Sequence, residues 1–549
     1  MTAFLAANLA PIMFGSMLLF LLLGYPVAFA LAACGFGFGF IGIELGLLSS
    51  NLFQAIPDRV WSVMSNETLL AIPFFTFMGL VLERSGMAED LLDTIGQLFG
   101  PVRGGLAYAV IFVGALLAAT TGVVAASVIA MGLISLPIML RYGYDRRIAT
   151  GTIAASGTLA QIIPPSLVLI VLADQLSRSV GDMYAGAIIP GLLLTVFYAL
   201  FIFIVSLVRP EWVPALPREA RTIRGWRLAL RVLTTLTPPL VLIFLVLGTI
   251  FIGVATPTEG GAMGSVGALA LAFVNRRLSL KLVLQAMDAT ARLSAFAMFV
   301  LLGARVFSLT FYGINGHLWV EALLTDMPGG QVGFLIVVNL LVFFLAFFLD
   351  YFELAFIIIP LLGPAAEKLG IDLVWFGVLL GINMQTSFMH PPFGFALFFL
   401  RSVAPERAYT DKVTGRTIAP VTSSQIYMGA IPYVLIQVLM VATVLLFPGL
   451  VTHYKSGRVA ADTSSVHLDV KPLSADGTGF GSSPFGAPVA APFGAPAASP
   501  FGAPVAAPFG QPGPAPATRP ADPFAPPQPA QPTPPTTPSG SAQPDFSKP

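Results

Sequence analysis

The chain has 549 residues, of which 56% are hydrophobic and only 10% are charged. This composition excludes a soluble globular protein and is typical of a polytopic membrane protein. The net charge of +1 leaves no concentrated basic face, which argues against nucleic acid as a partner.

Apolar runs of about 20 residues, the length that crosses a bilayer as an α-helix, recur along the chain. They cover residues 5–23, 27–49, 69–83, 184–208, 233–255, 257–274, 286–310 and 425–450. Two further apolar stretches, residues 105–141 and 334–366, are interrupted by polar residues at 119–122 and 349–351. Each interrupted stretch predicts a hairpin that enters the membrane and turns back.

Two segments, residues 155–166 and 383–394, place polar residues and a proline pair where a membrane helix should be most apolar. The pairs are Pro164 with Pro165 and Pro391 with Pro392. A proline removes a backbone donor and clashes with the preceding turn, so each pair predicts a break in its helix. Lipid cannot satisfy the freed carbonyl groups, so the breaks must lie inside protein or line a wet cavity. Such breaks in matching positions of two halves indicate the binding site of a transporter.

Basic residues indicate which loops face the cytoplasm. The richest loop, residues 209–231, holds six arginines. We place loop 209–231 in the cytoplasm and count the spans outward from it. This count puts the other basic clusters on the cytoplasmic side, and it puts both Met1 and the tail in the periplasm. Each half then has three spans, a hairpin, a broken span and a final span in opposite orientation, which predicts an inverted repeat. The predicted domains are a first repeat (1–208), a cytoplasmic basic connector (209–232) and a second repeat (233–453).

The remaining residues, 454–549, form a tail rich in Pro, Ala and Gly that cannot build a core. This composition predicts disordered or polyproline-like chain. Phenylalanines that recur every eight residues from Phe485 to Phe509 offer the alternative of weak docking contacts.

The first break is a candidate cation site. Hydroxyl and freed carbonyl oxygens suit a small alkali cation, while the N-terminal ends of half-helices favour an anion. The candidates are Thr120, Thr121 and Gly122 in the hairpin turn, with Gly157 and Thr158 before the prolines and Ser166 after them as a substrate ligand. The alternative is that these small residues only permit close helix packing.

The second break offers Gln385, Thr386 and Ser387 as cation ligands, with Asp350 at the turn of the second hairpin. A charged Asp at bilayer depth is costly and therefore a functional candidate, as a cation ligand or a proton carrier. Equally, Asp350 could cap the second arm of the hairpin, with Glu353 as its capping-box partner.

Three further polar residues are candidate substrate ligands: Asn383, His390 and Arg305. A neutral hydrogen-bonding role is the alternative for His390, and snorkelling to the interface is the alternative for Arg305. The chain has no convincing Walker loop, zinc pattern or Ser-His-Asp arrangement, so we expect neither an enzyme nor a bound cofactor or transition metal.

Several motifs resemble the large membrane subunit, the DctM type, of TRAP (tripartite ATP-independent periplasmic) transporters. They are Leu-Leu-Ala-Ile-Pro-Phe-Phe at 69–75, Gly-Thr-Leu at 157–159, Ile-Pro-Pro-Ser at 163–166, Thr-Pro-Thr-Glu at 256–259, Gln-Thr-Ser-Phe at 385–388 and Pro-Pro-Phe-Gly-Phe-Ala-Leu-Phe at 391–398. The resemblance covers roughly residues 1–450. The sequence departs from the family pattern at His390, where a small residue such as Thr is expected, and in the Pro-rich tail.

The resemblance implies an all-α inner-membrane permease of the ion-transporter superfamily, with two re-entrant hairpins, two discontinuous helices and an elevator movement coupled to sodium. It also implies a small four-helix membrane subunit and a periplasmic binding protein that delivers an organic acid, such as a C4-dicarboxylate, sialic acid or a 2-oxo acid. The family's ion-site regions fall on Thr120–Gly122 with Gly157 and Thr158, and on Asp350 with residues 385–387.

Cation-coupled uptake of an organic anion is therefore the leading hypothesis. A stand-alone anion transporter of the same superfamily is the alternative within the class, and a channel or structural membrane scaffold is the alternative outside it.

Overall fold

The computed structural model describes residues 2–392, 394–411 and 413–457, except for the side chains of residues 2, 3, 120, 121, 456 and 457, and this part of the chain is mainly helical. Of the predicted tail, residues 454–549, the part from residue 458 onward lies outside the described residues. The first ten helices are α1 (Thr2–Leu22), α2 (Val27–Glu44), α3 (Ile56–Met64), α4 (Ala71–Arg84), α5 (Met87–Phe99), α6 (Gly105–Thr121), α7 (Val124–Arg141), α8 (Arg146–Thr158), α9 (Leu167–Gln175) and α10 (Val180–Val208). The later helices are α11 (Trp226–Phe251), α12 (Pro257–Val274), α13 (Leu280–Gly313), α14 (Gly316–Thr325), α15 (Gly330–Leu345), α16 (Tyr351–Glu353), α17 (Ile359–Lys368), α18 (Leu373–Ser387), α19 (Phe395–Val403), α20 (Ser423–Leu446) and α21 (Gly449–Thr452).

Seven of the described helices are long and apolar enough to cross a membrane. They are Phe4–Leu22, Val27–Glu44, Val124–Arg141, Val180–Val208, Trp226–Phe251, Leu280–Gly313 and Ser423–Leu446. Six of them coincide with predicted spans, and the seventh, α7, is the second arm of the first predicted hairpin. The protein is therefore a polytopic helical membrane protein.

Two predicted spans, 69–83 and 257–274, form α4 and α12 and fall outside the seven. Helix α4 has 14 residues, and at about 1.5 Å per residue it is shorter than the hydrocarbon core. Helix α12 begins with polar residues closed by a capping box between Thr256 and Glu259. The two helices pack closely on each other, because Gly261 and Gly264 admit Phe74 and Met78.

The apolar runs do not predict helices α5 and α14. Helix α5 turns its apolar face inward while Asp90 and Asp93 pair with Arg277 at 2.8 Å and Arg231 at 2.9 Å. Helix α14 precedes α15 at a bend of 117°. Neither helix is long enough to stand out as a span.

Each interrupted stretch forms two helical arms joined by a turn at the predicted interruption. Helices α6 and α7 are separated by Gly122, which has a φ of +59°, and by Val123. Helix α15 is followed by a turn that ends at Asp350, after which α16, a π-helical turn (Leu354–Ile358) and α17 continue as the second arm.

Both predicted helix breaks are also present. Helix α8 ends at Thr158, a 3₁₀ turn (Leu159–Gln161) follows, and α9 begins after the prolines. Helix α18 ends at Ser387, and α19 begins at Phe395. The peptide bonds Pro164–Pro165 and Pro391–Pro392 are both cis.

Several basic segments lie together at one end of the protein. The connector after α10 is hydrogen-bonded to the α5–α6 and α7–α8 turns, through Leu216 N to Gly100 O and Asp145 N to Trp212 O, both at 2.9 Å. Arg141, at the end of α7, pairs with Asp411 at 3.0 Å. Asp411 belongs to a loop that also holds the only strands in the described residues, β1 (Tyr409–Thr410) and β2 (Thr417–Ile418), which pair antiparallel.

Candidate functional site

The two broken helices meet in the interior through their side chains. The amide nitrogen of Gln385, near the end of α18, donates to the hydroxyl oxygen of Thr158, at the end of α8, at 3.2 Å. Both side chains are fully buried. The predicted candidates Thr158 and Gln385 are therefore in direct contact, although they lie 227 residues apart in the chain.

The turn of the first hairpin lies against the first break. A Cβ atom at Gly122 would be 3.1 Å from Leu167 Cγ and 3.6 Å from the carbonyl oxygen of Pro165. Thr120 and Thr121 lie in this turn region, but their side chains are outside the described part of the structure.

Both arms of the first hairpin approach α8 through glycines. A Cβ atom at Gly114 would lie 2.5 Å from Ser156 Cβ, and one at Gly157 would lie 2.3 Å from Val128 Cγ2. Close packing of small residues, one of the alternatives considered above, is therefore what the structure shows for Gly157.

Helix α20 contributes residues that are not among the predicted candidates. Gly429, Tyr433 and Gln437 recur every four residues, so they share one face of α20, and this face contacts α8. A Cβ atom at Gly429 would lie 2.1 Å from the carbonyl oxygen of Arg147. The Tyr433 hydroxyl is 2.6 Å from Thr152 Oγ1, and Gln437 Nε2 donates to Thr158 Oγ1 at 3.4 Å.

A single chain of hydrogen bonds thus passes through Thr158. Gln437 Nε2 also donates to the hydroxyl of Tyr198, on α10, at 2.9 Å. Tyr198, Gln437, Thr158 and Gln385 are all fully buried. These hydrogen bonds link α10, α20, α8 and α18, and none of the four side chains is charged.

Buried amide groups without partners lie at the same place. Within the described part of the structure, Gln385 Oε1 and Gln437 Oε1 accept no hydrogen bond, and neither amide atom of Gln161 has a partner. Gln161 follows Thr158 by three residues through a 3₁₀ turn, in which positions i and i+3 eclipse, so both side chains lie on one face. Unpaired buried amide oxygens are unusual and mark a place where a further group can bind.

The second hairpin is tied to α18 through two asparagines. Asn383 Nδ2 donates to the backbone oxygen of Asn339 at 2.7 Å and to its Oδ1 at 3.0 Å. Asn383, predicted as a substrate ligand, therefore uses its amide nitrogen to hold α15. The hydroxyls of Thr386 and Ser387 donate to carbonyls of their own helix, those of Asn383 and Met384.

Asp350 caps the second arm of the hairpin, which confirms one of its two predicted roles. Its Oδ1 accepts from Glu353 N, and Glu353 Oε2 accepts from Asp350 N, both at 3.0 Å. The predicted capping-box partner is thus Glu353. Glu353 and Leu349 also border a cavity of about 320 Å³ against α2 and α13.

His390 packs among aromatic rings and does not show the hydrogen-bonding role that was its predicted alternative. Its ring stacks on Phe347 at 4.3 Å and meets Phe343 edge-on at 4.2 Å between centroids. Neither ring nitrogen makes a hydrogen bond to the described residues, and the residue is only 4% exposed. His390 therefore acts as an aromatic packing residue against the first arm of the second hairpin.

Ser166 and Arg305 occupy different environments. Ser166 caps α9, because its Oγ accepts from Leu169 N at 3.4 Å while donating to the carbonyl of Gln161. Arg305 is half-buried in α13, and its Nε is buried without a partner among the described residues. No described hydrogen bond or ion pair joins Arg305 to either break.

The resulting site presents neutral oxygen atoms at two helix breaks. Hydroxyl, carbonyl and amide oxygens are hard ligands that suit alkali cations, and the half-helix N-termini of α9 and α19 favour an anion. Among the described residues, no three His, Cys, Asp or Glu side chains are grouped as a transition-metal site would require.

Comparison with known proteins identifies the family. Residues 14–450 match the family described as "Tripartite ATP-independent periplasmic transporter, DctM component". The chain belongs to this family. The resemblance inferred from the motifs is thus confirmed, and the protein is a multi-pass inner-membrane protein of the TRAP large-permease family.

Several TRAP permeases are similar along most of their length. The C4-dicarboxylate large permease protein DctM of Pseudomonas aeruginosa is 31% identical over 358 residues, which cover 65% of this chain and 82% of that protein. The corresponding protein of Rhodobacter capsulatus is 31% identical, covering 71% and 89%. The sialic acid large permease SiaM of Vibrio cholerae is 28% identical, covering 69% and 86%. Among solved structures, the YdaH transporter of Alcanivorax borkumensis matches with a TM-score of 0.49 and 17% identity, over 73% of this chain and 90% of that one.

Proposed function

We propose that this TRAP large permease takes up an organic acid in symport with a cation, which we infer to be Na⁺, after a periplasmic binding protein delivers the substrate. The observation that carries the proposal is the contact between the two breaks, where Thr158 and Gln385 share a hydrogen bond in a buried, uncharged site. The names of the relatives support the substrate class, because those proteins are described as permeases for C4-dicarboxylates and sialic acid.

In this proposal the cations bind at both breaks. The first-break ligands are Thr120, Thr121, Gly122, Gly157 and Thr158. The second-break ligands are Asp350, Gln385, Thr386 and Ser387. The carboxylate of the substrate lies between the half-helix N-termini of α9 and α19, where the aligned backbone dipoles favour negative charge.

The two halves act as inverted repeats, residues 1–208 and 233–453, joined by the basic connector 209–232. Both termini face the periplasm, and the hairpins move with the broken helices in an elevator-type transition. A small four-helix membrane subunit completes the complex. Coupling requires that substrate and cation each stabilise the arrangement that moves, so that neither crosses efficiently alone.

A flux assay in proteoliposomes tests this function. The vesicles contain this chain, the small subunit and the binding protein, and uptake of a labelled organic acid is followed under an imposed Na⁺ or proton gradient. We expect uptake that depends on the Na⁺ gradient. Uptake driven only by the proton gradient would show that the coupling ion is H⁺ and not Na⁺. Uptake with neither gradient would contradict symport.

Substitutions at Asp350 separate its two predicted roles. Asp350→Ala removes both the charge and the cap, whereas Asp350→Ser keeps a capping oxygen and removes only the charge. If the carboxylate binds the cation, both variants lose Na⁺-dependent uptake. If Asp350 only caps the helix, the serine variant keeps it. Thr121→Ala should also impair uptake. Thr443→Val on α20, whose hydroxyl donates to the carbonyl oxygen of Leu439 in the same helix, is the matched control.

A further inference from the structure

The hydroxyl of Thr158 already makes three hydrogen bonds. It donates to the carbonyl oxygen of Ala155 at 2.8 Å and accepts from Gln385 at 3.2 Å and from Gln437 at 3.4 Å. A threonine hydroxyl has one hydrogen and two lone pairs, so its capacity is used completely. A cation can therefore bind the Thr158 oxygen only if one of the two amides leaves.

The two amides are not equivalent. Gln437 has a second anchor, because the same nitrogen donates to Tyr198 OH at 2.9 Å. In addition, α20 is fixed against α8 by the Gly429 contact and by the hydrogen bond between Thr152 and Tyr433. Among the described residues, Gln385 Nε2 donates only to Thr158, so Gln385 is the amide that a cation displaces.

We propose that Gln437, anchored by Tyr198, is a positioning residue that keeps one lone pair of the Thr158 hydroxyl occupied. A cation that binds Thr158 at the first break must then displace the amide of Gln385, and this displacement couples cation binding to the second break. Gln385 is followed directly by Thr386 and Ser387, so release of its amide changes the end of α18 just before the second proline pair. This inference rests on the proposed cation role of Thr158. It adds a residue of the last long helix, which was not among the candidate ligands.

The proposal predicts a gain of apparent cation affinity from a disruptive substitution. Gln437→Leu frees a lone pair, so the cation no longer has to displace Gln385. Because a hydrogen bond contributes about 0.5–1.5 kcal/mol, the half-saturating Na⁺ concentration should fall about twofold to twelvefold. A merely structural role for Gln437 predicts the opposite, since a loosened site binds more weakly.

The experiment measures Na⁺-dependent thermal stabilisation of the full purified chain in detergent, with choline chloride holding ionic strength constant. Tyr198→Phe keeps the ring packed on Tyr433, with centroids 5.2 Å apart, and removes the second anchor of Gln437. Tyr198→Phe should also lower the half-saturating Na⁺ concentration, by about twofold to threefold. This variant provides the test if Gln437→Leu does not fold. Thr443→Val is the control that should match the wild type.

A background substitution tests the shared oxygen directly. In Thr158→Val, adding Gln437→Leu should leave the half-saturating concentration unchanged, because the oxygen for which amide and cation compete is absent. A wild type that Na⁺ stabilises, with an unchanged or raised half-saturating concentration in Gln437→Leu and Tyr198→Phe, would overturn this inference and leave the proposed function standing. A wild type that Na⁺ does not stabilise would overturn both.

Discussion

The close contact between α8 and α20 makes Gly151→Ala a sharp test of the packing. A Cβ atom at Gly151 would lie 2.1 Å from the carbonyl oxygen of Gly429, whereas real contacts of this kind stay beyond 3.0 Å. The helices must therefore separate by about 0.9 Å, the difference between those distances. Overpacking of this kind costs about 1–3 kcal/mol, and loss of the Thr152–Tyr433 hydrogen bond as the helices separate costs about 0.5–1.5 kcal/mol more.

We expect Gly151→Ala to lower the free energy of unfolding by about 1.5–4.5 kcal/mol. The measurement is denaturant unfolding of the purified protein in detergent. Gly37→Ala is the matched control, since Gly37 is also helical but has nothing within 4 Å of its added Cβ. It should be neutral or stabilise by up to about 1 kcal/mol. A Gly151→Ala protein as stable as the wild type would refute the packing argument.

Two further predictions concern hydrogen bonds between distant elements. Asn383→Leu removes both bonds to Asn339 and should cost about 1–3 kcal/mol in unfolding experiments, while the double variant with Asn339→Leu should recover part of this loss; an equal loss in both would contradict it. The Thr414 hydroxyl, its backbone N–H and Arg141 lower the pKa of Asp411 below its usual 3.8, against the effect of burial. The carboxylate therefore stabilises the fold above about pH 4, and this contribution disappears as the pH falls through the lowered pKa. The melting temperature of Asp411→Asn should lie below that of the wild type at pH 7, and the difference should shrink as the pH falls below 3.8. A pH-independent difference would be evidence against the role of this carboxylate.

The breaks and hairpins could be predicted because their sequence signals are local. A proline pair acts on its own helix wherever the helix lies, and a polar interruption of an apolar stretch marks a turn. The capping box of Asp350 and Glu353 was predictable for the same reason, since its two residues are three positions apart.

Gln437 could not be predicted because its role depends on a partner 279 residues away. It lies within residues 425–450, which read as an ordinary apolar span, and a single polar residue there carries no pattern. Its four-residue spacing from Gly429 and Tyr433 places the three residues on one helical face, but residues with this spacing share a face in every transmembrane helix. Only the arrival of Thr152 and Thr158 opposite that face distinguishes it.

His390 shows the converse limit. Its position beside the prolines suggested hydrogen bonding, but Phe343 and Phe347 supply an aromatic environment from another element. The side chain's own chemistry does not reveal what the opposing helix presents.

The α8–α20 interface also joins two helices that are synthesised at very different times. Thr152 and Tyr433 are separated by 281 residues, which at about 5–20 residues per second take the ribosome about 14–56 s to translate. Throughout that interval the first broken helix resides in the bilayer without the helix that covers its polar, glycine-rich face. The nascent first half must therefore be shielded by its own hairpin, or by the insertion machinery, until the last long helix emerges.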